Sequence, residues 1–166
     1  MTETPFFFGR DSASLFGLLH APAAGASKLG FVMSHSFAEE KLWSHRVIVS
    51  CARALARRGH PVLRFDYMGA GDSSGDTPDT SLDSHCADLA GAVRELARRV
   101  PALERVGVVG LRFGAAIAAL VAEQAAPEHL RAAPLILWDP VLDGESYFQE
   151  LLRSNLSTQL AVYGKV

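Results

Sequence analysis

Apolar residues recur along this chain with two different spacings. Residues 29–33, 61–65, 105–109 and 135–138 are short, nearly continuous apolar runs, as expected of parallel strands covered on both faces. Between them the spacing is helical. Residues 42–58 carry Trp43, Val47, Cys51, Ala54 and Leu55 on one stripe and end in Arg57-Arg58-Gly59, with cations in the last turn and glycine just past it. Residues 81–100 repeat the scheme with Leu82, Cys86, Leu89, Val93 and Leu96, and Thr80-x-x-Asp83 at their start has the form of a capping box. Residues 113–125 make a third helix, rich in alanine and so able to lie close against a sheet.

The ends of the chain follow other patterns. Phe6-Phe7-Phe8 and residues 14–20 flank a turn-like Gly9-Arg10-Asp11, which predicts an antiparallel strand pair. Residues 144–163 place Tyr147, Phe148, Leu151, Leu152, Leu156, Leu160 and Tyr163 on an amphipathic helix with no strand after it. The whole predicts an α/β fold: a doubly wound, mostly parallel sheet of six strands with helices on both faces. Residues 1–143 are expected to form the core unit, and residues 144–166 a helix that packs on that core or on a partner. Residues 69–78, rich in Gly, Ser and Asp, read as a loop.

Composition narrows the function. A chain of 166 residues, 49% hydrophobic, suffices for one core. Its 16 basic and 18 acidic residues are spread along the sequence, so no charged face calls for nucleic acid or an anionic membrane. Cys51 and Cys86 fall in separate helical segments and suit reduced packing residues. Met1-Thr2-Glu3-Thr4-Pro5 lacks the pattern of a signal peptide, and no apolar run is long enough to span a bilayer as a helix. A cytoplasmic protein is the expectation.

In open α/β sheets ligands bind beyond the carboxyl ends of the strands, so the residues after each run are the candidates for chemistry. They are Ser34-His35-Ser36-Phe37 with Ala38-Glu39-Glu40-Lys41, then Asp66 with Gly69 to Gly75, then Gly110-Leu111-Arg112-Phe113-Gly114, then Asp139-Pro140. The third has the form of a strand-to-helix nucleophile elbow, Gly-x-Ser-x-Gly, with arginine in the serine's place. A guanidinium stays protonated and cannot attack an acyl carbon.

Together the four stretches resemble the serine-aminopeptidase-type branch of the α/β hydrolases, and within it most closely the exosortase-A-associated hydrolase 2 proteins. The resemblance rests on His35 with Phe37-Ala38-Glu39-Glu40-Lys41, on Leu63-Arg64-Phe65-Asp66 with Gly69-x-Gly71-Asp72-Ser73-x-Gly75, on Gly110 to Ala115, and on Leu137-Trp138-x-Pro140. It implies a truncated hydrolase fold lacking its last strands, oxyanion positions at the backbone N–H groups of Phe37 and Phe113, and Arg112 at the nucleophile position. It also implies a late triad histidine, whereas the last histidine here is His129, ahead of the fourth parallel run.

Three readings of Arg112 stay open: an ion pair with Asp139 on the adjacent strand, about 4.8 Å away; an anion site at a helix N-terminus bordered by His35, Phe37, Phe113, Asp66 and Asp139; or a merely tolerated residue. His35, Ser36 and Asp139 are the weak catalytic candidates. Ser34, Ser73 and Ser74 lie near the same edge, but Ser73 and Ser74 read as turn residues. Asp66 reads as the holder of the glycine-rich loop, His35 as an orienting loop residue, Glu39-Glu40-Lys41 as a solvated helix start, and His85 and Trp138 as packing residues. The histidine spacing suggests no metal site, and no cofactor is implied.

The expected function is that of a non-catalytic hydrolase homologue, a binding or assembly subunit with a small anionic or acyl ligand at the elbow. The alternative is a serine-type ester or thioester hydrolase, or an acyltransferase, completed by a partner chain or a displaced serine. Residues 135–138 would form an exposed apolar edge, so the terminal helix is expected to fold over it, or else a second copy or a strand-supplying partner covers it.

Overall fold

The computed structural model describes residues 1–10, 13–124 and 126–164. Asp11 of the expected turn and Ala125 at the end of the expected third helix lie outside them. The strands are β1 (Thr2–Arg10), β2 (Ala13–Ala21), β3 (Leu29–Ser34), β4 (Val62–Phe65), β5 (Arg105–Leu111) and β6 (Leu135–Trp138). The helices are α1 (Ala38–Arg57), α2 (Leu82–Arg99), α3 (Phe113–Gln124) and α4 (Gly144–Tyr163).

The six strands form one sheet in the order β1-β2-β4-β3-β5-β6. β1 pairs antiparallel with β2, and β2 with β4; the β3–β4, β3–β5 and β5–β6 pairs are parallel. Two core layers explain why the apolar runs are continuous rather than alternating. Val32, Leu63, Val106 and Val108 pack under Leu89, Val93, Leu96, Ile117 and Val121 of α2 and α3, while Phe31, Met33, Val62 and Val109 face Ile48 and Ala52 of α1. Successive strand residues point to opposite faces, so a strand covered on both sides is apolar at nearly every position; Arg64 of β4 departs from this and donates to His20 Nε2 at 3.0 Å.

The inward face of α1 differs from the expected stripe. Ile48, Ala52 and Ala56 are buried, while Trp43 and Val47 are 70% and 46% exposed. Small side chains let the helix approach the sheet, and that preference outweighs the bulk of Trp43. α2 keeps Leu89, Val93 and Leu96 inward as expected and adds His85 and Ala92, but Leu82 is exposed. Its capping box is formed by Ser81 and Ser84, not by Thr80 and Asp83. The Thr80 hydroxyl instead donates to the Thr77 carbonyl at 2.8 Å, closing the turn before the helix.

α1 carries the chain from β3 to β4 in one direction across the sheet, and α3 carries it from β5 to β6 in the other. The direction reverses at β3 and β5, so their carboxyl ends flank a crevice of the kind that binds ligands. At the far edge, Trp138, read as core or interface, is not in the core: it is 48% exposed along with its neighbours Ile136 and Leu137. α4 does not cover them: Tyr147 is its only buried residue, and Leu152, Leu156, Leu160 and Tyr163 are exposed. No described helix is long and apolar enough to cross a membrane.

Candidate functional site

Arg112 sits on the turn between β5 and α3 at φ 54°, the left-handed region that costs a non-glycine residue about 1 kcal/mol or more. Its backbone is clamped. The Arg112 N–H donates to the Trp138 carbonyl at 3.0 Å, and its own carbonyl accepts the Ala115 N–H at 3.0 Å, so α3 starts at once. The flanking glycines are required by close approach. A Cβ on Gly110 would strike the Ala115 backbone, and one on Gly114 would strike the carbonyl oxygens of Ser34 and His35. This is the backbone of a nucleophile elbow with arginine at its apex.

The guanidinium is held from two sides. Nη1 donates to Asp139 Oδ2 at 3.1 Å and Nε to Glu40 Oε1 at 3.2 Å. The Asp139 pair is the ion pair that strand adjacency suggests. Glu40 overturns the reading of Glu39-Glu40-Lys41 as a solvated helix start, since its carboxylate is 19% exposed against 70% for Asp139. Lys41 is engaged too, with Nζ 2.6 Å from Asp66 Oδ1. Nothing in the spacing separates Glu40 from Glu39; Ala38, at φ 50°, sets how α1 leaves the loop and which acid faces the elbow.

A second residue that the sequence did not single out for the site is Tyr147. Its hydroxyl donates to Glu40 Oε2 at 2.8 Å. Burial pushes this phenol above its ordinary range, so it remains a neutral donor. The ring stacks on Phe113 at 6.4 Å between centroids and 9° between planes, and the Arg112 guanidinium lies 5.5 Å from the ring centre. Phe37 in turn tilts against Phe113 at 5.3 Å. The amphipathic pattern of residues 144–163 was legible, but which of its apolar members turned inward was not.

His35 is buried in the loop after β3. Its Nδ1 lies 2.7 Å from the Ser36 carbonyl oxygen, an acceptor only, so the proton resides on Nδ1 and Nε2 presents a lone pair. Asp66 Oδ1 is 4.0 Å from that nitrogen, beyond hydrogen-bond range. Burial, reinforced by the Lys41 charge, lowers the His35 pKa to about 4. Asp66 accepts the Asp72 N–H at 3.2 Å and crowds Gly71, tying down the glycine-rich loop.

The candidate serines are all satisfied elsewhere. Ser34 Oγ donates to the Gly114 carbonyl at 2.7 Å and lies 2.6 Å from the Tyr67 hydroxyl. Ser36 Oγ pairs with Ser44 Oγ at 3.0 Å. Ser73 Oγ donates to the Asp66 carbonyl and accepts the Phe16 N–H, while Ser74 Oγ accepts the Ser14 N–H. Among the described residues no serine hydroxyl is bonded to a histidine ring nitrogen. His85 packs as expected, edge-on to Phe113 at 5.4 Å.

One cation against two carboxylates leaves the Arg112 cluster with an excess of negative charge, so an incoming anion must displace Glu40 or Asp139 from the guanidinium. Beside it lies a cavity of about 480 Å³ lined by Phe37, Leu82, His85, Phe113, Leu120 and Tyr147, among others.

The family described as "Serine aminopeptidase, S33" matches residues 28–165. No curated protein matches the chain. Solved structures share its fold: a putative hydrolase from Agrobacterium vitis at 20% identity and TM-score 0.68, over 98% of this chain and 62% of that one; an esterase from Pyrococcus furiosus at 21% and 0.68, over 95% and 58%; and a proline iminopeptidase from Mycobacterium smegmatis at 20% and 0.66, over 92% and 50%. The chain therefore spans between half and two thirds of the length of each. With the elbow backbone, the strand order and the family match in agreement, this chain belongs to the serine aminopeptidase S33-type family of α/β hydrolases.

Proposed function

We propose that the chain is a hydrolase-fold binding or assembly subunit that does not itself cleave a substrate. The observation that carries this reading is Arg112 at the apex of the elbow, its guanidinium fixed between Glu40 and Asp139. A serine enzyme needs an activated hydroxyl at that point with a base in hydrogen-bond contact. The ligand is an acyl or other uncharged compound, because the two carboxylates disfavour a free anion. The exposed β6 edge and the apolar face of α4 support assembly, either with a second copy or with a chain that adds strands beside β6. The resemblance to exosortase-associated hydrolases supports a cytoplasmic role beside a partner enzyme in an envelope or natural-product pathway.

A fluorophosphonate probe followed by mass spectrometry tests the central point. The expected result is no labelled serine in the purified chain. A covalent adduct on any of its serines defeats the proposal, and an adduct that forms only with a co-purified partner establishes a split enzyme instead.

A further inference from the structure

Tyr147 reaches the elbow from α4 and is the one buried residue of that helix. Its hydroxyl donates to Glu40 Oε2 at 2.8 Å, three residues from Phe37, whose N–H the family pattern assigns to a ligand oxygen. Its ring lies parallel to Phe113, 6.4 Å away, with the Arg112 guanidinium 5.5 Å from its centre. The same ring borders the 480 Å³ cavity, a second of about 280 Å³ beside Trp43, and a third of about 270 Å³ beside Arg112. One side chain thus lines all three spaces.

We infer that Tyr147 is an internal occupant of the elbow pocket, and that the pocket takes a neutral phenol when α4 moves aside. This inference rests on the binding reading above and names the ligand class for that same site. The chemistry follows from the partners. Glu40 requires a donor, which a hydroxyl supplies as Tyr147 does. Phe113 and Phe37 require an aromatic or apolar body attached to it. A carboxylate is repelled by Glu40 and Asp139; a hydrocarbon offers Glu40 no donor. Tyr147 is the one buried residue of α4 and Phe148 adds a ring contact to Phe37 at 6.0 Å, so an entering phenol displaces the Tyr147 side chain and loosens that neighbouring contact.

The test uses the full chain with Tyr147→Ala and measures binding of 4-methylphenol, toluene and 4-methylbenzoate by calorimetry. A hydroxyl bonded to a carboxylate distinguishes phenol from hydrocarbon by about tenfold or more. The expected order is therefore 4-methylphenol at least about tenfold tighter than toluene and than 4-methylbenzoate, with wild type binding 4-methylphenol at least about tenfold more weakly than the variant. Equal affinity for toluene and 4-methylphenol, or no binding to a folded variant, overturns the inference. If Tyr147→Ala does not fold, Tyr147→Leu takes its place with the same three ligands and the same expected order, and equal affinity for toluene and 4-methylphenol again overturns the inference. Serine labelling by fluorophosphonate sinks the non-catalytic reading whatever the phenol result, whereas loss of phenol preference with unlabelled serines leaves that reading standing.

Discussion

At the scale of single residues, His35 shows how burial sets chemistry. Its side chain is enclosed, its Nδ1 proton is committed to the Ser36 carbonyl, and Nε2 has no hydrogen-bond partner in the described chain. The ring is therefore neutral, with a pKa near 4 against an ordinary 6.5. Between those values the unfolded chain binds a proton that the folded chain refuses. Stability contributed by neutral His35 is complete above pH 6.5 and is lost as the pH falls toward 4, by up to about 1.4 kcal/mol per pH unit. His20, also lowered by burial, acts in the same direction. Urea unfolding between pH 7 and pH 5 should show a steeper loss for wild type than for His35→Gln, which keeps His20; parallel slopes would exclude the assignment. The position of His35 after β3 was legible in the sequence. Its tautomer and its isolation from Asp66 were not, because both depend on how α1 and the glycine-rich loop close around it.

At the scale of elements, one acid fastens four of them. Glu40 of α1 holds Arg112 at the β5–α3 turn and Tyr147 of α4, while Arg112 also reaches Asp139 beyond β6. Removing Glu40 leaves a buried phenol and one side of a guanidinium without partners, at a cost of about 1–3 kcal/mol. Asp139 is mostly exposed, and its pair with Arg112 is worth about 0–1 kcal/mol. Glu40→Ala is therefore expected to lower the urea midpoint more than Asp139→Ala and to accelerate hydrogen exchange throughout α4; equal effects would show that α4 is held by something else. The helix periods predicted α1, α2, α3 and α4 within a few residues. They failed on the phase of α1, where alanines at 52 and 56 lie against the sheet and Trp43 lies outside, because amphipathicity is read from bulk while close packing rewards smallness.

At the scale of the whole molecule, the two edges of the sheet differ. The β1–β2 hairpin extends it beyond β4, whereas β6 ends it with Ile136, Leu137 and Trp138 exposed and α4 adds an apolar face beside it. An apolar edge of this kind pairs readily with another chain. Sedimentation velocity is expected to show concentration-dependent association of the purified chain, reduced by Ile136→Lys, which places a charge on the edge. A concentration-independent monomer would count against assembly through β6. The similar solved hydrolases are each longer than this chain, which covers 62%, 58% and 50% of three of them.

The sequence by itself determined the α/β class, the six strands, the four helices and the location of the elbow. Each is encoded locally, by the period of apolar residues and by glycines that only a tight turn requires. It also determined that the apex is arginine. Only the tertiary structure decided what that arginine does. Its partners, Glu40 and Asp139, stand 72 and 27 residues away, and Tyr147 lies 107 residues from the Glu40 that accepts its hydrogen bond. No local pattern specifies such contacts, because they arise from the order in which strands assemble and from the angle at which each helix leaves its loop.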